Sequence, residues 1–211
     1  MAELPDVSPL DLAALIASKV CHDIISPVGA LGNGLEVLAE DAGEDMRGFA
    51  MDLIRKSSAQ ASAKLKFARI AFGAGGSAGA AIDTGDAETV ARGYMEFEKA
   101  DLEWAGERML VPKTRVKLLL NLVFLAAHCV PRGGTVGVSI EGRDENATFR
   151  LRCVGPRARV PKDLIDYLHG THEGEPTASD VQPLYTLLLA REAGLTVTAE
   201  LDGDDVVLAA A

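Results

Sequence analysis

The chain has 211 residues, 48% of them apolar and 25% charged, a composition that supports a packed core and excludes wholesale disorder. Lys+Arg number 21 against Asp+Glu 31, a net charge of −10, which leaves no general electrostatic drive toward nucleic acid or an anionic membrane surface. Aromatic residues are only 5%, a profile that favours Ala/Leu-rich helices over a β-sandwich.

In chain order, Ser8, Pro9 and Asp11 mark a helix start: a capping hydroxyl, a proline suited to the first helical position, and an acid three residues after the cap. The helical pattern runs to about residue 40 and breaks at 42–45. A second runs over about 45–72, with Met46, Leu53, Ile54, Leu65, Ala68 and Phe72 among its apolar positions. The two read as a long antiparallel hairpin occupying residues 1–72. Residues 73–81 are almost all Gly, Ala and Ser. They read as the core of a flexible linker over 73–85, because a phosphate-cradling loop would need a strand before it and Lys-Ser/Thr after it.

Residues 86–211 mix helix and strand. Helix is expected over 86–99, 113–129, 161–168 and 180–193. Strands are expected at 102–104, 134–141, 148–154, 195–201 and 206–210, the last pair turning at Asp202-Gly203-Asp204. The expected architecture is therefore α+β, a helical hairpin followed by a mixed α/β domain. Cys21, Cys129 and Cys153 are odd in number and form no CxxC pair, so they read as reduced thiols of a cytoplasmic protein and not as a disulfide framework or zinc site. His169 and His172 are three apart, but Gly170 weakens any helix there and no metal is expected. His128 lies in an apolar helix and reads as structural. The first nine residues lack the basic and apolar regions of a secretory signal. The most apolar stretch, 116–130, is too short to span a bilayer.

Ile16, Val20, Ile24, Pro27, Leu31, Leu35 and Leu38 form one stripe on the first helix, with spacings close to a coiled-coil seam. At about 100° per residue, His22 points away from that stripe, with Lys19, Ser26, Gly29 and Asn33 within roughly 60° of it. An outward histidine is thus flanked by a cation on one side and small residues on the other, which leaves room for a second protein. Apolar residues on more than one side of both helices point to a homodimeric four-helix bundle built from two hairpins, with coverage by the following domain as the alternative.

His22-Asp23-Ile24-Ile25-Ser26-Pro27 has the form His-acid-aliphatic-x-x-Pro. It resembles the phosphoacceptor box of the dimerisation and histidine-phosphotransfer domain of sensor histidine kinases. The following domain is similar in layout to their Bergerat-type ATP-binding domain, with departures at the positions that bind nucleotide. Leu125 stands where an asparagine would hold the magnesium-bound nucleotide, Cys153 where an aspartate would bind adenine, and Arg157 where a glycine is expected. No glycine-rich lid is visible, and Asp180-Val181-Gln182-Pro183 occupies the place of the second glycine box. A phosphoacceptor hairpin joined to a degenerate ATP-binding fold resembles the ChpT-type histidine phosphotransferases. The segments Val20–Pro27, 71–73 and 155–159 fit that family more closely than they fit true kinases.

The resemblance implies a dimer that takes a phosphoryl group from the receiver domain of a hybrid histidine kinase and passes it to response regulators of the CtrA and CpdR kind. His22 would be the nucleophile, and Asp23 would fix its tautomer. Lys19 would steady phosphoryl oxygens, with Ser26, Gly29 and Asn33 on the receiver-facing surface. No ATP and no cofactor of its own are expected, the receiver bringing its own magnesium. The competing readings are an autophosphorylating histidine kinase, and an inert pseudo-kinase scaffold or inhibitor that docks receivers.

Overall fold

The computed structural model describes residues 4–40, 43–73 and 81–211. Helix α1, Pro9–Ala39, begins as its sequence dictates: Ser8 is extended and its hydroxyl accepts from the Asp11 amide at 3.1 Å, with Pro9 at the first helical position. Helix α2, Glu44–Ala71, has no side-chain cap, but Glu44 and Asp45 at its start and Arg69 at its end complement the helix dipole. The two helices pack closely at Gly34, which is buried in α1. A methyl group there would lie 2.7 Å from Ile54 Cγ1 and 3.3 Å from the Ala50 carbonyl.

The α/β part contains β1 (Ala81–Asp83), α3 (Thr84–Met95), β2 (Ala100–Ala105), β3 (Leu110–Pro112), α4 (Lys113–Cys129), β4 (Gly134–Glu141), β5 (Thr148–Val154), α5 (Lys162–His169), α6 (Val181–Glu192), β6 (Val197–Asp202) and β7 (Asp205–Ala210). Strands β2-β4-β5-β7-β6 form one sheet, β2 running parallel to β4 and every other neighbour antiparallel. Alternation along β5 places Phe149, Leu151 and Cys153 in the core and Arg150 and Arg152 in solvent. Helix α4 is buried almost all round, packed between the sheet and helices α2, α3 and α6. It is the common wall of the molecule, and its Phe124 reaches the hairpin.

The expected fold class holds: a helical hairpin joined to a mixed α/β domain. Residues 81–85, expected as the end of a linker, are instead β1 and the first turn of α3; the remainder of that expected linker lies outside the described residues, apart from Gly73. Strand β1 pairs with β3, Ile82 opposite Val111. At three residues each, neither strand is long enough to display a period of two. Among the described residues α1, not the 116–130 stretch, is the helix long and apolar enough to cross a membrane. In this structure its inner face packs on α2 and the α/β domain instead.

Candidate functional site

The His22 side chain is 83% exposed near the middle of α1. Its Nδ1 lies 3.5 Å from Asp23 Oδ1, at the outer limit of a hydrogen bond. A proton on Nδ1 donated to this carboxylate leaves the Nε2 lone pair free and pointing outward. Ser26, Gly29 and Asn33 are exposed on the same side, and a Cβ added at Gly29 would meet nothing within 4 Å. The surface beside the imidazole is therefore open to close approach.

Asp23 is held at both its ends. Pro27, inside the helix, has no amide hydrogen, so the Asp23 carbonyl four residues earlier loses its helical donor. Lys64 of α2 supplies the replacement, its Nζ donating to that carbonyl at 3.3 Å. The carboxylate is gripped separately: Lys19 Nζ lies 2.5 Å from Oδ2, which leaves Oδ1 to face His22.

Lys19 does not share the outward face with His22, as its helical phase suggested. It is only 8% exposed, and its ammonium sits 4.6 Å from the centre of the Phe124 ring on α4. The α/β domain packs against that flank of α1. A phase difference of about 60° is enough to carry a side chain from solvent to this wall. Phe124 is braced by further rings: Tyr94 at 5.9 Å, His128 stacked at 4.6 Å, and Phe67 on Tyr94 at 4.5 Å. Val20, Asp23, Lys64, Phe67, Tyr94 and Phe124 enclose a residual cavity of only about 20 Å³. His128 is structural, as expected, its Nδ1 donating to the Phe124 carbonyl at 2.8 Å.

Lys64 and Phe124 are site residues that the sequence reading missed. Pro27 was a usable signal for Lys64, since a proline within a helix always leaves a carbonyl to be satisfied. No sequence signal pointed to Phe124, because its role depends on how the two parts of the chain dock. A third unexpected feature is a buried polar junction. Asn121 on α4 donates to the Ala71 carbonyl at 3.1 Å and to Lys117 at 2.7 Å, and accepts from Gln182 of α6 at 2.5 Å. It fastens the end of α2 to the α/β core.

Of the three positions compared above with a nucleotide site, two are buried in the core and one sits in a left-handed turn. Leu125 is 3% exposed and packed in the core. Cys153 is buried beside Cys129, whose thiol is pushed well above its ordinary range by the Cys153 hydrogen bond and by burial. Arg157 adopts a left-handed φ of 60°, strained for a residue with a Cβ. Among the described residues no group of three His, Cys, Asp or Glu is placed to hold a metal.

Segment 170–180 is pinned by His172, which stacks on Tyr167 at 4.2 Å and donates through Nε2 to Asp180 at 2.9 Å. Desolvation opposes ionisation of Asp180, but the His172 and Thr177 hydrogen bonds outweigh it and hold the carboxyl below its ordinary value of 3.8. A carboxyl so lowered stabilises the fold fully above that ordinary value and loses its contribution as pH falls through the lower folded one. Hydrogen exchange should therefore show 170–180 protected from neutral pH down to about pH 4 and opening below it. In Asp180→Ala the segment should exchange rapidly at every pH.

The family described as Histidine phosphotransferase C-terminal domain matches residues 84–205. The protein phosphotransferase ChpT of Brucella abortus (strain 2308) is 48% identical over 205 residues, 97% of each chain. A solved structure of a bacterial phosphotransferase superposes with a TM-score of 0.91 at 47% identity, covering 99% of this chain and 100% of that one. A family model over more than half of the chain and a relative 48% identical along nearly its whole length show that the chain belongs to the ChpT-type family of histidine phosphotransferases.

Proposed function

We propose that the protein is the histidine intermediate of a multistep phosphorelay, carrying a phosphoryl group on His22 between aspartates of receiver domains. The observation that carries this reading is the His22 imidazole, exposed on an open helix face with Nδ1 turned to a fixed carboxylate. Nε2 attacks the phosphorus of an aspartyl phosphate, the P–O bond to the receiver aspartate breaks, and that carboxylate leaves. The ring retains its Nδ1 proton and becomes an imidazolium bearing the phosphoryl group, a cation that Asp23 stabilises. The reverse step delivers the group to a second receiver and regenerates neutral imidazole. Such transfers depend mainly on in-line positioning and charge neutralisation. Magnesium held by the receiver neutralises the phosphoryl oxygens, so this chain needs no metal of its own.

The donor in this reading is the receiver of a hybrid kinase, and the acceptors are response regulators of the CtrA and CpdR kind. Docking involves Ser26, Gly29 and Asn33 on α1 and, by helical phase, Phe49 and Leu53 on the same side of α2, exposed by 72% and 42%. Leu125, Cys153 and Arg157 support transfer without ATP, since none supplies the oxygen ligand, adenine acceptor or glycine turn of a nucleotide site. The working form is a cytoplasmic homodimer, its hairpins paired in a four-helix bundle through apolar faces that are open in one chain. The test is incorporation of labelled phosphate by the pure protein. Label should come from a phosphorylated receiver and not from ATP alone. Label from ATP alone would make the protein a kinase, and label from neither would leave it a docking scaffold.

A further inference from the structure

We infer that the α/β domain acts on the transfer chemistry as part of a clamp, in which Lys19, seated on Phe124, aims the Asp23 carboxylate at His22 and so selects the tautomer that leaves Nε2 nucleophilic. The inference rests on His22 being the phosphoacceptor and adds what positions it.

An aspartate next to an exposed histidine would ordinarily sample several rotamers, and its hydrogen bond to the ring would be intermittent. Here one oxygen is fixed by an ammonium that is itself buried. Lys19 has its charge neutralised by Asp23 on one side and faced by the Phe124 ring on the other. Burying a lysine is unfavourable unless it is paired, so this ion pair resists swinging into solvent. The Lys64 bond to the Asp23 carbonyl fixes the backbone from the other side of the hairpin. With Oδ2 and the carbonyl both engaged, Oδ1 is the oxygen directed at Nδ1. The 3.5 Å separation shortens when the ring becomes cationic during transfer, because a charged donor strengthens the bond.

Phe124 belongs to α4, the buried helix of the α/β domain that packs against α2 of the hairpin. Its ring stands between Tyr94 and His128 and cannot turn away without disturbing both. Lys19 and Phe124 touch neither the receiver nor the phosphoryl group. They are positioning residues, and they give the α/β domain a role in a reaction whose nucleophile lies on the hairpin.

The test is made on the full chain with Lys19→Met, Lys19→Arg and Phe124→Leu. Ring nitrogen chemical shifts of His22 give its tautomer in the unphosphorylated protein, independent of any transfer. Single-turnover transfer from a phosphorylated receiver at saturating concentration gives the rate. In the unaltered protein the Nδ1–H form should dominate. In Lys19→Met the population should move toward the Nε2–H form, with a rate loss of tenfold or more and unchanged receiver affinity. Lys19→Arg, which keeps both the ion pair and the ring contact, should retain most of the rate. Phe124→Leu should fall between them and serves as the second probe if Lys19→Met folds poorly. An unchanged tautomer, with rates within twofold, in both Lys19→Met and Phe124→Leu would overturn the clamp. A protein with the Nδ1–H tautomer set by Lys19 but unable to accept phosphate would instead retain the clamp and sink the relay reading.

Discussion

His22→Ala should abolish phosphoryl uptake from a phosphorylated receiver, a loss on the order of 10⁴-fold or more, the scale on which removal of a nucleophile acts. Its neighbours are poor substitutes: the Asp23 carboxylate is engaged by Lys19, and the exposed Ser26 hydroxyl on the same face is a weak nucleophile in its neutral form, whereas the imidazole offers a nitrogen lone pair beside the open Gly29 surface. The fold should be unaffected. A side chain 83% exposed and joined to its surroundings by one 3.5 Å contact contributes little to stability, so thermal unfolding should shift by no more than about 0.5 kcal/mol equivalent. The label carried by the unaltered protein should be lost in acid and kept in alkali, as a phosphoramidate behaves. Acid-stable label, or undiminished transfer by the variant, would move the acceptor elsewhere.

The sequence made the outward face of His22 legible but not what supports it. The cap at Ser8, the largely apolar α4 and the paired strands β4 and β5 were readable, because each carries a local signature of capping, burial or alternation. The outward placement of His22 was readable because its helical phase departs from the apolar stripe of Ile16, Val20, Ile24 and Leu31. Lys19 was misplaced for the same reason: phase fixes a residue relative to its own helix, whereas the wall that buries it comes from a helix about a hundred residues later. The division of the Asp23 carboxylate, Oδ2 to Lys19 and Oδ1 to His22, follows from packing, and packing at that interface is set by Phe124, Tyr94 and Phe67, aromatic residues that in sequence look like any other core positions. The Asn121–Gln182 junction was hidden in the same way, since an asparagine within an apolar helix does not announce which carbonyl it will meet. The short ribbon of β1 and β3 fell below the length at which a strand period can be seen.

Replacing Val28 and Leu35 together by glutamate should convert the proposed homodimer to a monomer at micromolar concentration. In the single chain these side chains are 49% and 58% exposed, and Leu65 and Met51 on α2 are 51% and 38% exposed. By helical phase the four share the side of the hairpin opposite the α/β domain, away from both His22 and the Phe124 wall. This placement matters because it separates two kinds of exposed apolar surface. Phe49 and Leu53 lie toward His22, on the face proposed to dock a receiver, whereas Val28, Leu35, Met51 and Leu65 form a patch that a second hairpin would cover. Fully burying one such side chain is worth about 1.5–3 kcal/mol. Half-exposed pairs lost from both protomers, together with carboxylates forced against an apolar face, should therefore weaken association by at least about a hundredfold, each tenfold step being 1.4 kcal/mol. Sedimentation equilibrium would measure it, with Phe49→Glu as the control expected to keep the dimer and lose receiver affinity. A double variant that sediments as the unaltered protein does would place the interface elsewhere. A double-variant monomer that still accepts phosphate on His22 would show that each hairpin, with its own Lys19 clamp, is a complete chemical unit, and that pairing serves the geometry of docking, not the transfer itself.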